Sequence, residues 1–251
     1  MKLVPMQIRE LFHMVFLRNF SQKFAGRMYA LKGGICLRFF YNSIRFSEDI
    51  DFDISQKIPI DTLSKNIDNI LKSQVTISNL LSYGITDINF REVKRTRVTQ
   101  RWKVKLIMSD KTELSTKIEL SKRKNEFSWI SGIPDRELLL VYQVTPFVSQ
   151  YYNAIELATQ KIYALASGTR TAVRDLFDLH HLFFSCNVNV DEVKKEIKGD
   201  VLKDCINKIS VFKISDFQSE IIPFLPLDIA KYYSDKLNVE QMKNDCLKKL
   251  L

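Results

Sequence analysis

The sequence predicts an α+β fold: a sheet with flanking helices, followed by a helical C-terminal lobe. Three observations carry this expectation. Residues 85–120 alternate apolar with polar or charged side chains, the period of antiparallel strands. Residues 154–167, AIELATQKIYALAS, put Ile155, Ala158, Ile162 and Leu165 on one helical face. Ahead of the strands, residues 31–53 read LKGGICLRFFYNSIRFSEDIDFD, a Gly-Gly turn, a short run with helical apolar spacing and a strand-like tail.

Bulk properties narrow the class. With 251 residues, the chain can bury one sizeable core and a smaller second one. Hydrophobic content of 45% beside 27% charged residues is that of a globular protein in water. No run of about 18 apolar residues occurs, so no membrane span is expected. The N-terminal stretch MKLVPMQIRELFHMVF is interrupted by Gln7, Arg9 and Glu10 and does not read as a signal peptide. Cys36, Cys186, Cys205 and Cys246 lack the spacing of a zinc site or disulfide framework, so reduced thiols in a cytoplasmic protein are expected. A net charge of +9 favours polyanionic partners such as RNA or nucleotides, or an acidic protein.

In chain order, residues 1–30 read as helical. Leu3, Met6, Ile8, Leu11, Phe12, Val15 and Phe16 set the spacing, a second short stretch covers 20–28, and His13 reads as a packed or surface residue. After Asp53, a turn at Ile58-Pro59 precedes a helix over 61–74 with Asp61 as N-cap. Among the strands, Ile85, Val93, Val98, Val104, Leu106 and Ile118 form the apolar set. Arg91, Lys94, Arg95, Arg97, Arg101, Lys103 and Lys105 form a basic tract around Trp102. That tract is either a solvated edge guarded against aggregation by charge or a contact surface for RNA or nucleotide. Residues 121–125 form a basic loop, and Trp129 with a turn at Gly132–Pro134 leads to a second lobe from about residue 138.

In that lobe, the loop Gly168-Thr169-Arg170 joins the first helix to a second over 171–184, which holds Arg174-Asp175-Leu176-Phe177-Asp178. His180 and His181 read as packing or surface residues. Helices over 191–209, 215–222 and 227–250 follow, with Asp191 as an N-cap, Ser215-x-x-Gln218 as a capping box and Pro223 and Pro226 as punctuation. The division expected is residues 1–137 and 138–251.

The chemistry concentrates in residues 31–53. On a strand, Asp49 and Asp51 project to the same face while Ile50 and Phe52 enter the core. Two adjacent carboxylates repel, and a divalent cation, Mg²⁺ or Mn²⁺, is one ordinary solution. Gly33-Gly34, just before a helix, supplies backbone N–H groups that can approach a phosphate closely. Phosphate cradle and metal seat in one segment point to phosphoryl chemistry on a nucleotide. Glu119 lies between Ile118 and Leu120 in TKIEL; it is either a third metal-binding carboxylate or an exposed strand residue. Lys161, Arg174, Asp175 and Asp178 either pair across a helical hairpin or serve the nucleotide.

Gly-Gly followed after a short helix by Asp-x-Asp resembles the signature of the DNA-polymerase-β-like nucleotidyltransferases. The wording KGG…LR…RFSEDIDF, with Lys32, Arg38, Arg45 and Ser47 in place, resembles their AbiEii-like (MenT-like) toxin branch. The later Lys161…Arg170…Arg174-Asp175…Asp178 has the same likeness. Ile35 stands where such proteins often carry a small hydroxyl residue, which leaves phosphate contacts there to backbone amides. The resemblance implies a polymerase-β-like core and a metal-dependent enzyme that transfers a nucleotide from a nucleoside triphosphate to an acceptor such as tRNA. It implies a toxin of a toxin–antitoxin or phage-defence locus with a cognate antitoxin. Asp49, Asp51 and Glu119 would bind metal; Lys32, Gly33, Gly34, Arg38, Arg45, Ser47, Lys161 and Arg174 would bind nucleotide. Asp175 or Asp178 would orient the triphosphate or base, and the C-terminal lobe would complete the nucleotide site. The other readings are a nucleotide-binding module without catalysis, for example one holding GTP, and a basic RNA-binding module.

Overall fold

The computed structural model describes residues 3–24, 28–124, 126–167 and 173–251. Helix α1 (Pro5–Lys23) starts on a proline, which has no N–H to leave unpaired, and has Lys23 in its last turn, where the helix dipole favours a cation. Strand β1 (Tyr29–Lys32) leads directly into α2 (Gly33–Phe40). Strand β2 (Asp49–Ile54) follows, then α3 (Ile60–Lys72), α4 (Gln74–Leu81) and the long strands β3 (Ile85–Arg95), β4 (Thr99–Met108) and β5 (Glu113–Ser121). Strand β6 (Ile130–Gly132), α5 (Arg136–Val141) and β7 (Ser149–Tyr151) come next.

Among the described residues the strands form one seven-stranded mixed sheet in the order β3-β4-β5-β2-β1-β7-β6. The pairs β3–β4, β4–β5, β1–β2 and β6–β7 are antiparallel, whereas β2–β5 and β1–β7 are parallel. Because side chains alternate, β2 has two chemically distinct faces. Ile50, Phe52 and Ile54 are fully buried. Phe52 stacks on Phe20 of α1 at 4.6 Å between ring centroids, and Phe16 and Tyr29 complete the cluster. Burying each such ring contributes about 1.5–3 kcal/mol. Trp102 lies on the same inner face, fully buried, and its indole N–H donates to Asp68 of α3 at 3.3 Å. The opposite face of β2 carries its aspartates.

The C-terminal part is helical: α6 (Ala154–Ala166), α7 (Val173–Phe184), α8 (Val190–Lys195), α9 (Val201–Ser210), α10 (Ile214–Glu220), a 3-10 turn at Ile222–Phe224, α11 (Leu227–Tyr233) and α12 (Lys236–Leu250). Asn153 caps α6 by accepting the Glu156 N–H at 2.8 Å. Leu157, Ile162, Leu176, Leu179, Ile209 and Cys246 belong to the core here, beside the aromatic group Phe177, Phe217 and Tyr233.

Two compact units result. One contains Met1–Asn42 and Phe46–Tyr152, the other Ser43–Arg45 and Asn153–Leu251. The sequence expectation divided the chain at 137/138. The units divide at 152/153 because β7 pairs with β1 and β6, which keeps this stretch in the first sheet.

Several local expectations are corrected. Pro59, not Asp61, caps α3; Asp61 lies in its first turn. Asn189 caps α8 by accepting the Asp191 N–H at 2.9 Å, so Asp191 is inside the helix. At α10 the reciprocal contact is Lys213 N–H to Asp216 at 3.0 Å rather than one between Ser215 and Gln218. The expected helices over 191–209 and 227–250 are each two helices. Strand β1 and helix α4 have no counterpart in the expectation. Parts of the expected 20–28 stretch and the 121–125 loop, and the whole Gly168-Thr169-Arg170 loop with Thr171, lie outside the described residues. Among the described residues no helix is long and apolar enough to cross a membrane.

Candidate active site

The first unit brings the candidate carboxylates together through register. Asp51 pairs across β2–β5 with Glu119, and Asp49 with Lys117. Paired positions share a face, so Asp49, Asp51 and Glu119 stand on the same side of two adjacent strands. Both Asp49 and Glu119 are held by cations of the same sheet: Lys117 Nζ lies 3.0 Å from Asp49 Oδ2, and Arg101 Nη2 lies 2.5 Å from Glu119 Oε2. These pairs are partly exposed, with the Asp49 side chain 34% accessible and Glu119 23%. Each therefore contributes no more than about 1 kcal/mol and yields readily to a stronger cation.

Gly33 sits against this face. Its φ is +74°, in the region glycine favours, and a Cβ built there would lie 3.0 Å from Asp51 Oδ2. Glycine thus lets β1 turn into α2 directly beside Asp51. The first backbone N–H groups of α2 have no partners within the helix, and the side chain of the N-cap residue, Lys32, does not cap them. Ile35 is 1% exposed and belongs to the core, so it adds no polar group to this turn.

The other predicted residues of the first unit are engaged. Lys32 Nζ donates to Asp53 Oδ1 at 2.6 Å, and the Tyr152 hydroxyl donates to Asp53 Oδ2 at 2.7 Å. Arg38 donates to Glu10 from Nε at 2.5 Å and from Nη2 at 3.3 Å, with its guanidinium 4.9 Å from the Phe46 ring centroid. The Tyr142 hydroxyl also donates to Glu10; burial, then the Glu10 carboxylate, raises its pKa far above the ordinary phenol range. The Ser47 hydroxyl donates to the Asp49 carbonyl at 3.3 Å.

Sequence reasoning passes over four of these participants. Lys117 stands two residues before Glu119, the spacing that puts both on one strand face. Asp53 extends the Asp49, Asp51 alternation by one more step. Glu10 gives no signal, being a lone acid in an apolar helix. His13, expected to be a packed or surface residue, is fully buried and also makes a specific contact. Its Nε2 lies 2.6 Å from Thr116 Oγ1, whose hydroxyl donates to the Glu48 carbonyl at 2.6 Å, one residue before Asp49. Burial, reinforced by Arg9, lowers the His13 pKa to about 3, so it is neutral at ordinary pH.

The second unit holds a separate buried cluster. Arg45 grips Asp178 as a fork, Nε to Oδ1 at 2.9 Å and Nη2 to Oδ2 at 2.8 Å. Lys161 Nζ donates to Asp178 Oδ2 at 2.6 Å and to Asp175 Oδ1 at 2.9 Å. Among the described residues, two cations face two anions here. Burial would raise the Asp178 pKa, but Arg45 and Lys161 outweigh it and hold the carboxyl well below the usual range. Burial would lower the Lys161 pKa, but Asp175 and Asp178 outweigh it and raise the ammonium above its usual value. Arg174 lies apart, donating to the Glu220 carbonyl at 3.2 Å with its guanidinium 4.3 Å from the Phe224 ring centroid.

Among the described residues, no three His, Cys, Asp or Glu side chains are gathered tightly enough to hold a metal ion as they stand. The donor set nevertheless fits a hard divalent cation. Asp49, Asp51 and Glu119 offer carboxylate oxygens on one face, and the cations on Asp49 and Glu119 already occupy positions where positive charge is favoured.

Comparison with known proteins gives the family and the fold. The family profile described as nucleotidyl transferase AbiEii toxin, type IV TA system, matches residues 15–237. No curated protein sequence matches. JHP933 from Helicobacter pylori is similar in structure with a TM-score of 0.59 at 24% identity, covering 96% of this chain and 91% of that one. MenT4, a nucleotidyltransferase toxin from Mycobacterium tuberculosis H37Rv, gives 0.69 at 17% identity, covering 98% and 84%. The expected α+β fold is thus the MenT-like one, a mixed sheet flanked by helices with a helical C-terminal part. With its profile spanning nearly the whole sequence, the chain belongs to the AbiEii toxin nucleotidyltransferase family.

Proposed function

We propose that this nucleotidyltransferase transfers a nucleotide from a nucleoside triphosphate to an RNA acceptor, tRNA being the preferred class, and that Mg²⁺ or Mn²⁺ is required. The family implies a triphosphate substrate and an antitoxin. The observation that carries the finer reading is the side-by-side placement of Asp49, Asp51 and Glu119 with Gly33 against Asp51. Asp49 and Asp51, with Glu119, would hold the metal. When bound, it supplies positive charge to the phosphoryl group in transfer.

The chain's own residues do the rest. The N–H groups at the start of α2 meet phosphate oxygens, and the absence of a Cβ at Gly33 leaves room for them. Lys32, with its side chain 24% exposed, adds a cation beside that turn. Glu119, opposite Asp51, accepts the proton of the acceptor hydroxyl as its oxygen bonds to the α-phosphorus; the α–β bridging bond breaks and pyrophosphate leaves. Toxicity follows from blocking the acceptor in the cytoplasm, in a setting such as phage defence, until the antitoxin intervenes.

The test is incubation with each α-labelled nucleoside triphosphate and total bacterial RNA, with Asp51→Asn as control. Metal-dependent label on an RNA band, absent in the variant, is expected. Nucleotide binding without label transfer to any acceptor would leave the module without catalysis as the reading instead.

A further inference from the structure

The open face of β3–β5 is charged in an ordered way. Arg91, Lys103, Lys117 and Asp49 occupy consecutive cross-strand positions, one per strand, in a single row. The adjacent row on that face runs Asn89, Lys105 and Ser115. Like charges directly opposite one another destabilise a sheet, so three in a line are a feature that an anion would relieve. The cations differ in how they are satisfied. Lys117 is paired with Asp49, and Lys105 with Glu113 at 2.6 Å. Arg91 and Lys103 are exposed and make no ion pair among the described residues. The rows line a concavity of about 590 Å³ that also reaches Glu48 and Asp49.

We infer that this face is the docking track for the phosphodiester backbone of the RNA acceptor, an assignment that rests on the RNA-acceptor reading above. The row spans three inter-strand gaps, about 15 Å, from uncompensated cations on β3 and β4 to the carboxylate of β2. A polyanion is therefore attracted at the Arg91 end and meets negative charge at the Asp49 end. This polarity lays the backbone over β3 and β4 and leaves the strand's reactive end near β2. The exposed groups of the two rows are lysine, arginine, asparagine and serine. A protein partner would instead need an apolar centre, where lysine is depleted. Contacts of this kind position a backbone without reading its sequence.

The experiment measures anisotropy of a fluorescein-labelled tRNA with the full chain, without nucleotide or metal, across a range of salt. Arg91→Gln/Lys103→Gln should weaken binding at least tenfold. It should also reduce the slope of log affinity against log salt by roughly 1.5, near 0.7–0.9 for each phosphate that is no longer neutralised. The melting temperature should hold or rise, since a like-charge pair is relieved, and nucleoside triphosphate affinity, measured separately, should not change. Unchanged RNA affinity and slope would overturn the assignment. So would an equal loss of triphosphate affinity, which would give the row to the nucleotide, or equal competition by poly-glutamate, which would give it to an acidic protein. Failure of the RNA-acceptor reading itself would show differently, as no tRNA binding by the wild-type chain.

Discussion

Replacing Lys161 with methionine removes one cation from a buried charged cluster. The native group holds Arg45 and Lys161 against Asp175 and Asp178, and Asp178 is fully buried. Methionine nearly preserves the volume, so the loss is electrostatic. Asp178 keeps the Arg45 fork but loses the ammonium at 2.6 Å, and Asp175, 4% exposed, loses it at 2.9 Å. Breaking a buried pair by deleting one partner costs about 3–5 kcal/mol, chiefly because an uncompensated charge is left behind. For a chain of this size that is a fall of roughly 6–20 °C in melting temperature. Adding Asp175→Asn removes one buried anion to match the lost cation and should recover more than half of the loss. Urea unfolding of both variants, with label transfer per folded molecule on the same preparations, gives the answer. A loss below about 1 kcal/mol, or no recovery in the double variant, would refute the argument from buried charge balance. Normal transfer per folded molecule would make Lys161 a purely structural residue.

Three further outcomes are expected. Gly33→Ala forces a side chain into a left-handed backbone position and against the Asp51 carboxylate, which should cost about 1–2 kcal/mol in stability and abolish label transfer; transfer at the wild-type rate would place the phosphate turn elsewhere. Asp49→Asn and Asp51→Asn should each reduce transfer at least about 100-fold. Since the Lys117 pair is exposed, Asp49→Asn should shift stability by no more than about 1 kcal/mol, as read by thermal melts. His13 has a folded pKa of about 3 against about 6.5 unfolded, so the stability it brings is complete above 6.5 and declines as pH falls toward 3. Close to 2 kcal/mol should be gone by pH 5, and His13→Gln should flatten that part of the stability–pH curve; an unaltered slope would contradict the assignment.

The elements legible in the sequence are those whose pattern repeats. Strands β3 to β5 announce themselves by alternation and α6 by its apolar face, and the Asp49, Asp51 spacing fixes which side of β2 the acids occupy. Strand β1 escapes notice because four residues, three of them buried, hold no alternation to read. The parallel alignment that sets Glu119 beside Asp51 joins residues 68 positions apart and leaves no local trace. For the same reason, Arg38 and Arg45, expected to bind nucleotide, show no trace in the sequence of their carboxylate partners, Glu10 and Asp178, which lie far off along the chain. Helix caps fail where side-chain rules meet backbone constraints, as at Pro59, whose fixed φ starts α3 without any capping oxygen.

The membership of Ser43–Arg45 in the second compact unit bears on how this chain can be divided. Arg45 meets Asp178 across 133 positions. A gene cut between residues 152 and 153 would leave the arginine on the N-terminal fragment and send the buried Asp178 out without its guanidinium fork. The C-terminal fragment should therefore fold poorly alone, and split halves should regain their native state only when the donor fragment restores its three-residue contribution. The same holds on the ribosome: the arginine is made early and waits, so the C-terminal helices cannot complete their interior from their own sequence, and truncation of the N-terminal half disables both parts at once.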